Sequence, residues 1–144
     1  IGFTLIFAQG FFVRRFVGKI GEKNMALQGI FLGFFAFILL AFPSSETWFF
    51  FALFLMSCGV AFISPTLTAL TSLHSSEKDQ GFNLGIFRSS GSIARACGPM
   101  LAGLTYFLFG STFAYTIGAF LLLIPFLILL KVPKPARDEP AEES

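Results

Sequence analysis

Hydrophobic positions in this chain form long unbroken runs, and the charged residues are gathered between them: residues 1–13, 24–45, 47–76 and 96–130 contain no Asp, Glu, Lys or Arg. A bilayer core takes about 20 consecutive apolar residues per helix, so the pattern predicts an all-α, polytopic transmembrane bundle. The run 1–13 is too short to span before Arg14 and Arg15 arrive and reads as the remnant of a clipped helix. A helix is expected over about 25–42, ended by Pro43 and the Ser-Ser that follows. Another starts near Thr47 and continues past Pro65 to about Leu73. It is long enough to span with tilt or a kink, because neighbours in a membrane can re-satisfy the backbone group that a proline frees. The 35-residue run 96–130 is too long for one helix and divides at Phe109-Gly110-Ser111-Thr112, which predicts helices over about 82–108 and 113–130. The expectation is about four full spans plus the truncated first helix, together forming one membrane domain, 1–130. After Leu130 the sequence turns to KVPKPARDEPAEES, charged and proline-rich, so 131–144 is expected to be a disordered tail.

Composition narrows the function classes. The chain is 55% hydrophobic and 12% charged, against roughly 45–50% and about 25% in an ordinary soluble domain. Intrinsic disorder and a secreted disulfide scaffold fit poorly, and a net charge of +2 offers no basic surface for nucleic acid. Cys58 and Cys97 fall deep inside apolar runs and read as small core residues. The chain begins at Ile1, and its basic residues follow the first apolar run where a signal peptide would have them ahead of it. It is therefore expected to be the C-terminal part of a longer chain.

The ten basic residues predict the orientation, since short cytoplasmic loops collect Lys and Arg. Arg14, Arg15, Lys19 and Lys23 precede the 25–42 segment, Lys78 lies in the connection after Leu73, and Lys131, Lys134 and Arg137 follow the last segment. The intervening connections, near 43–46 and 109–112, have none. Alternate connections of a helical hairpin array share a side, so the basic connections and the tail are expected in the cytoplasm. Trp48, Tyr106 and Tyr115, the only Trp and Tyr residues, all fall near the proposed outer connections, as an interfacial aromatic belt would. The 22 Phe residues are spread through every span and mark lipid-facing or packing surface.

The segment GFNLGIFRSSGSIARACGPMLAGLTYFLFG carries the most chemistry. Gly85, Ser89, Gly91, Ser92, Ala94, Gly98, Ala102 and Gly103 would let neighbouring helices approach closely, the way membrane helices pack when water provides no driving force between them. Pro99 is expected to add a bend. Arg88 and Arg95, seven residues apart, project from one face with Ser92 between them. Arginine at the centre of a membrane helix costs roughly 2.5–3.5 kcal/mol even on the gentler insertion scale, so it normally faces protein or a water-filled cavity. Arg88 is close enough to the helix end to snorkel. Arg95 is not: from Ala96 to Leu108 the helix covers only about 20 Å, inside a core about 30 Å thick. Two roles remain open for it, either charge in a central cavity, where it would bind an anionic substrate group or a carboxylate, or a structural bond to backbone carbonyls. Gln9 and Gln28 would hydrogen-bond across helices or line the cavity. His74 reads as a surface residue beside Ser75 and Ser76. No metal-ligand cluster, cofactor-binding glycine loop or nucleophile with a partnering base is visible, so neither an enzyme nor a cofactor is expected.

The stretch QGFFVRRFVGKIGEKN, with Arg15, Lys19, Gly21, Glu22 and Lys23, resembles the basic, glycine-containing loop between the second and third helix of each half of major facilitator superfamily transporters. It is most similar to the C-terminal halves of tetracycline-efflux-like drug/proton antiporters. The series Ala94, Gly98-Pro99, Ala102-Gly103 resembles that superfamily's antiporter motif, and RSxGxxAR…GP resembles its eukaryotic tetracycline-transporter-like branch. The resemblance implies the end of an eighth helix through a twelfth, with the N-terminal half of the transporter missing. It also implies secondary active transport by alternating access, with protons and a small organic molecule or organic anion as the partners. A metabolite-uptake carrier and a non-transporting membrane scaffold are the competing readings.

Overall fold

The computed structural model of the protein describes residues 20–42 and 45–133. The expected helix 1–13, Gln9, Arg14, Arg15, Lys19, the helix-ending Pro43 and the tail beyond residue 133 lie outside them. The described residues form three helices of membrane-spanning length: α1, Glu22–Ala41; α2, Glu46–Leu73; and α3, Gln80–Lys131. At 1.5 Å per residue α3 would be roughly 78 Å long if straight, more than twice a bilayer core. It is not straight. Gly110 has φ 84 and ψ 172, a conformation open essentially to glycine alone, and there the chain changes direction. Residues from both sides of Gly110, Gly98 to Tyr106 and Ala114 to Leu121, line one cleft, so the two limbs of α3, 80–109 and 111–131, fold back toward each other. The break falls within the dividing segment expected from the sequence.

Local chemistry accounts for the other boundaries. Gly21 takes φ 81 and ψ 151 immediately before α1, again glycine territory, and releases the chain into a helix that starts with Glu22. Glu22 and Lys23, expected in the loop, therefore belong to the first turn of α1. Ser45 caps α2, its hydroxyl accepting the Trp48 amide at 3.5 Å. Pro65 sits inside α2 and Pro99 and Pro125 inside α3 without a non-helical residue at any of the three, so the bend expected at Pro99 does not interrupt the helix. The hydroxyl groups of Ser57, Thr68 and Thr71 donate to carbonyls four residues back, which satisfies them inside an apolar helix. Between α2 and α3 the turn is closed by polar side chains: Asn83 Nδ2 donates to Ser75 Oγ at 3.0 Å and Gln80 donates to Ser72.

Both α2 and the second limb of α3 pack against α1. The buried stripe of α1 is Met25, Ala26, Gly29, Ile30, Gly33, Ala36 and Leu40, spaced three and four apart and rich in small residues. Gly29 meets Gly59 of α2 so closely that a β-carbon on Gly29 would lie 2.7 Å from Ile63 Cγ1 and 2.9 Å from the Gly59 carbonyl. On the other side Gly33 approaches Leu122, and Phe37 lies across Gly118. Ala26, Ile30, Leu70 and Leu129 form a buried cluster where all three elements meet. The first limb of α3 contributes no residue to the buried core. Cys97, on that limb, is exposed and Cys58 half-buried, which corrects their expected place in the core; Cys97 follows its unpacked limb.

Candidate functional site

Three arrangements bring polar or charged side chains to positions where they can act. The first joins the start of α1 to the end of α3. Lys23 Nζ donates to the Leu130 carbonyl at 2.9 Å and to the Val132 carbonyl at 2.5 Å, across more than a hundred residues. Those carbonyls end α3 and have no helical partner, and a cation there also complements the negative end of the helix dipole. Lys23 was expected only as loop charge; here it clamps the start of α1 to the end of α3. The shared Ala26–Leu70–Leu129 cluster sets the α2–α3 turn, with Lys78, at this same end. Gly110 and the Phe37–Tyr115 pair, with ring centres 6.3 Å apart, mark the opposite end, where the connections carry no Lys or Arg. The basic connections among the described residues thus share one end of the bundle.

The second arrangement is on the first limb of α3. Arg95 Nη2 donates to Ser92 Oγ at 3.1 Å, and Ser92 Oγ donates to the Arg88 carbonyl at 3.0 Å. The guanidinium lies back along its own helix over Gly91, whose β-carbon position is 3.4 Å from Arg95 Nη1. Arg88, Ser92 and Arg95 are all exposed and share one face, as expected, and no acidic residue pairs with either arginine among the described residues. At about 100° per residue this face is turned roughly 120–180° from Asn83, which contacts α2. Seven residues on from Arg95, the same face carries Ala102, which lines the cleft between the limbs of α3. The arginine side chains keep most of their donors free.

The third is an open cleft of about 500 Å³ between the limbs of α3, lined by Phe37, Gly98, Ala102, Tyr106, Tyr115 and Gly118 among others. A β-carbon at Gly85, Gly98 or Gly103 would meet nothing within 4 Å among the described residues, so these glycines touch no neighbouring helix there. Gln28 is likewise exposed, beside Leu27, Phe31, Leu32 and Phe126 in a shallow apolar groove, and makes no cross-helix hydrogen bond among the described residues. The close helix approaches fall instead on Gly29, Gly33, Gly59 and Gly118. Sequence inspection passed over these, although Gly29 and Gly33 have the four-residue spacing of helix-contact glycines. No group of His, Cys, Asp and Glu able to hold a metal is present among the described residues.

Comparison with known proteins gives a consistent result. The family model described as Major Facilitator Superfamily matches residues 1–144. Major facilitator superfamily domain-containing protein 10 of Mus musculus is 34% identical over 143 residues, covering 99% of this chain and 31% of its own length. Methyl viologen resistance protein SmvA of Salmonella typhimurium is 31% identical over 127 residues, 85% of this chain and 26% of that protein. The crystal structure of the human organic anion transporter MFSD10 superposes with a TM-score of 0.80 at 30% identity, covering 89% of this chain and 30% of that one. The chain thus spans about a third or less of the length of each relative.

Proposed function

Since the chain belongs to the major facilitator superfamily, we propose that it is the C-terminal part of a secondary active transporter that moves a small organic anion by alternating access. Integral membrane placement follows from the family and from helices long and apolar enough to span. The rest is proposal. The limbs of α3 each cross the bilayer, which with α1 and α2 makes four full spans. The end of the bundle that carries Lys23, Lys78 and Lys131 faces the cytoplasm, where the tail also lies. The N-terminal half, outside this sequence, forms the other wall of the cavity, and the small residues Gly85, Gly91, Gly98 and Gly103 with Pro99 support the rocking contact.

The observation that carries the substrate class is Arg95: a guanidinium on an exposed face of a membrane helix, held in place by Ser92 and unpaired with any acid among the described residues. A cation so placed needs an anion or water beside it. The organic anion transporter named for the structural neighbour agrees with this chemistry. Arg88, one face with Arg95, adds charge toward the helix end, and Gln28 stays a secondary candidate. Between their first turns, which hold Glu22 and Glu46, and their ends the described spans carry no acid, so proton coupling would draw its carrier from the other half or be absent. Efflux is the direction implied by the likeness to drug/proton antiporters.

The test uses the full-length transporter in proteoliposomes with carboxyfluorescein as the anionic probe. Arg95→Ala is expected to lower the initial rate roughly tenfold or more at equal protein content, the loss of one charge-assisted bond worth about 1.5–3 kcal/mol. Arg95→Lys should recover part of it. Transport of the anion by Arg95→Ala at the unmodified rate would refute the substrate role, and failure of both variants to accumulate in the membrane would make Arg95 structural.

A further inference from the structure

Arg88 and Arg95 stand seven residues apart on one helix face, so a molecule that meets one guanidinium lies within reach of the other. We infer that the two arginines form a single two-point site, and that the transported molecule is an organic dianion whose anionic groups engage both. The inference rests on the proposal that Arg95 is a substrate cation, and goes beyond it by fixing the charge that the substrate carries.

The α-carbons of the pair are about 10.5 Å apart along the axis. Arg95 shortens that gap. Its guanidinium folds back toward Arg88 and lies on the backbone at Gly91, where a β-carbon would stand 3.4 Å from Nη1 and 3.9 Å from both Cζ and Nη2. A large side chain in place of that glycine hydrogen would lift the charge off the helix. Ser92 holds the group there: its hydroxyl accepts from Arg95 Nη2 at 3.1 Å and donates to the Arg88 carbonyl at 3.0 Å. With its proton so engaged, Ser92 positions Arg95 and leaves substrate contact to the guanidinium, most of whose donors stay available. The two charges then stand roughly 5–10 Å apart along the axis, as Arg88 turns toward Arg95 or away from it. This spacing is set within two turns of one helix, so it does not depend on what packs around the limb.

Charge selects the ligand. The pair carries two positive charges, and α3 contains no Asp or Glu to offset either. A monoanion on Arg95 leaves Arg88, about 12 Å beyond the start of α3, uncompensated, whereas a second anionic group on the same molecule neutralises it. A guanidinium plane takes the two oxygens of a carboxylate or phosphate through paired, charge-assisted bonds. Two such ends on a short spacer therefore match two arginines two turns apart. Two anchors also fix the direction of the molecule along α3, which a single cation cannot do.

The experiment compares naphthalene-2-sulfonate with naphthalene-2,6-disulfonate, two fluorescent probes that differ by one fixed charge. Full-length transporter in proteoliposomes is assayed with valinomycin and equal potassium on both sides, so that the membrane potential favours neither probe. The unmodified protein is expected to take up the disulfonate with a kcat/KM about tenfold or more above that of the monosulfonate, the effect of one further charge-assisted bond. Arg88→Gln should bring the two probes level, and Arg88→Lys, which keeps the charge, should retain most of the preference. Equal uptake of the two probes by the unmodified protein, or a preference unchanged by Arg88→Gln, would overturn the dianion and leave Arg95 as a substrate cation. Uptake of both probes unaltered by Arg95→Gln would overturn the reading of Arg95, and the two-point site with it.

Discussion

Gly29 and Gly59 hold α1 and α2 at a separation that no side chain would allow: a β-carbon on Gly59 would stand 2.8 Å from the Gly29 carbonyl oxygen and 3.1 Å from the Gly33 amide nitrogen. Both obstacles are backbone, so neither can swing aside. Contact at this distance supplies the dispersion energy that apolar lipid cannot compete away, which is how glycines stabilise membrane helix pairs. Gly59→Ala is expected to destabilise the protein by about 1–3 kcal/mol through overpacking, seen as a lower melting temperature of the purified full-length chain. Gly81→Ala, whose added methyl meets nothing, should leave it unchanged or raise it.

Lys23 is the only bond-forming side chain between the start of α1 and the end of α3 among the described residues. Lys23→Met should uncap two carbonyls and cost about 1 kcal/mol. The local signature is faster amide hydrogen exchange at residues 129–133, with exchange in the middle of α2 unaltered. Lys23→Arg, which keeps the charge, should retain most of the protection. Equal exchange in all three proteins would show that the clamp does not hold the helix end.

Gly110 folds α3 in two, and its backbone lies where a β-carbon collides with its own chain. Gly110→Ala is expected to cost about 1–3 kcal/mol, lowering both melting temperature and yield, while Ser111→Ala next to it should change neither by a measurable amount. A Gly110→Ala protein as stable as the unmodified one would mean that the limbs are held back to back by something other than this turn.

Sidedness makes a separate prediction. With Cys58 and Cys97 replaced by serine, cysteines introduced for Ser45 and Ser111 should react with an impermeant maleimide from outside the cell, and a cysteine for Lys78 only after the membrane is opened. Reaction of Ser111→Cys only from inside would invert the orientation, and reaction of Ser111→Cys and Lys78→Cys from the same side would remove the extra crossing.

Much of the architecture could be read from residue order. The boundaries at Leu73 and near Thr47 were set by the chain's turn from apolar to polar, and the division of 96–130 at Gly110 followed from a run too long for one bilayer crossing. The pairing of Arg88, Ser92 and Arg95 on one face followed from helical period alone, because all three lie on one uninterrupted helix. The conformational work of Gly21 was also foreseeable from the turn it must make.

What residue order did not reveal is which face of each helix would be buried. In water the polar face names itself, but α1 and α2 are apolar all round, so no alternation of hydrophobic and polar positions distinguishes packing from lipid. Glycines looked equivalent along the chain; only the fold made Gly29 and Gly59 a contact and left Gly98 and Gly103 beside an open cleft. Lys23 likewise carried the same charge as any loop lysine until folding brought the end of α3 within its reach. The sequence by itself determined how many apolar segments there are, where they break and which connections carry cations, because those depend on local composition and length. Tertiary structure alone decided which small residues touch and which carbonyls a distant lysine caps, because both depend on separations between segments that no local rule encodes.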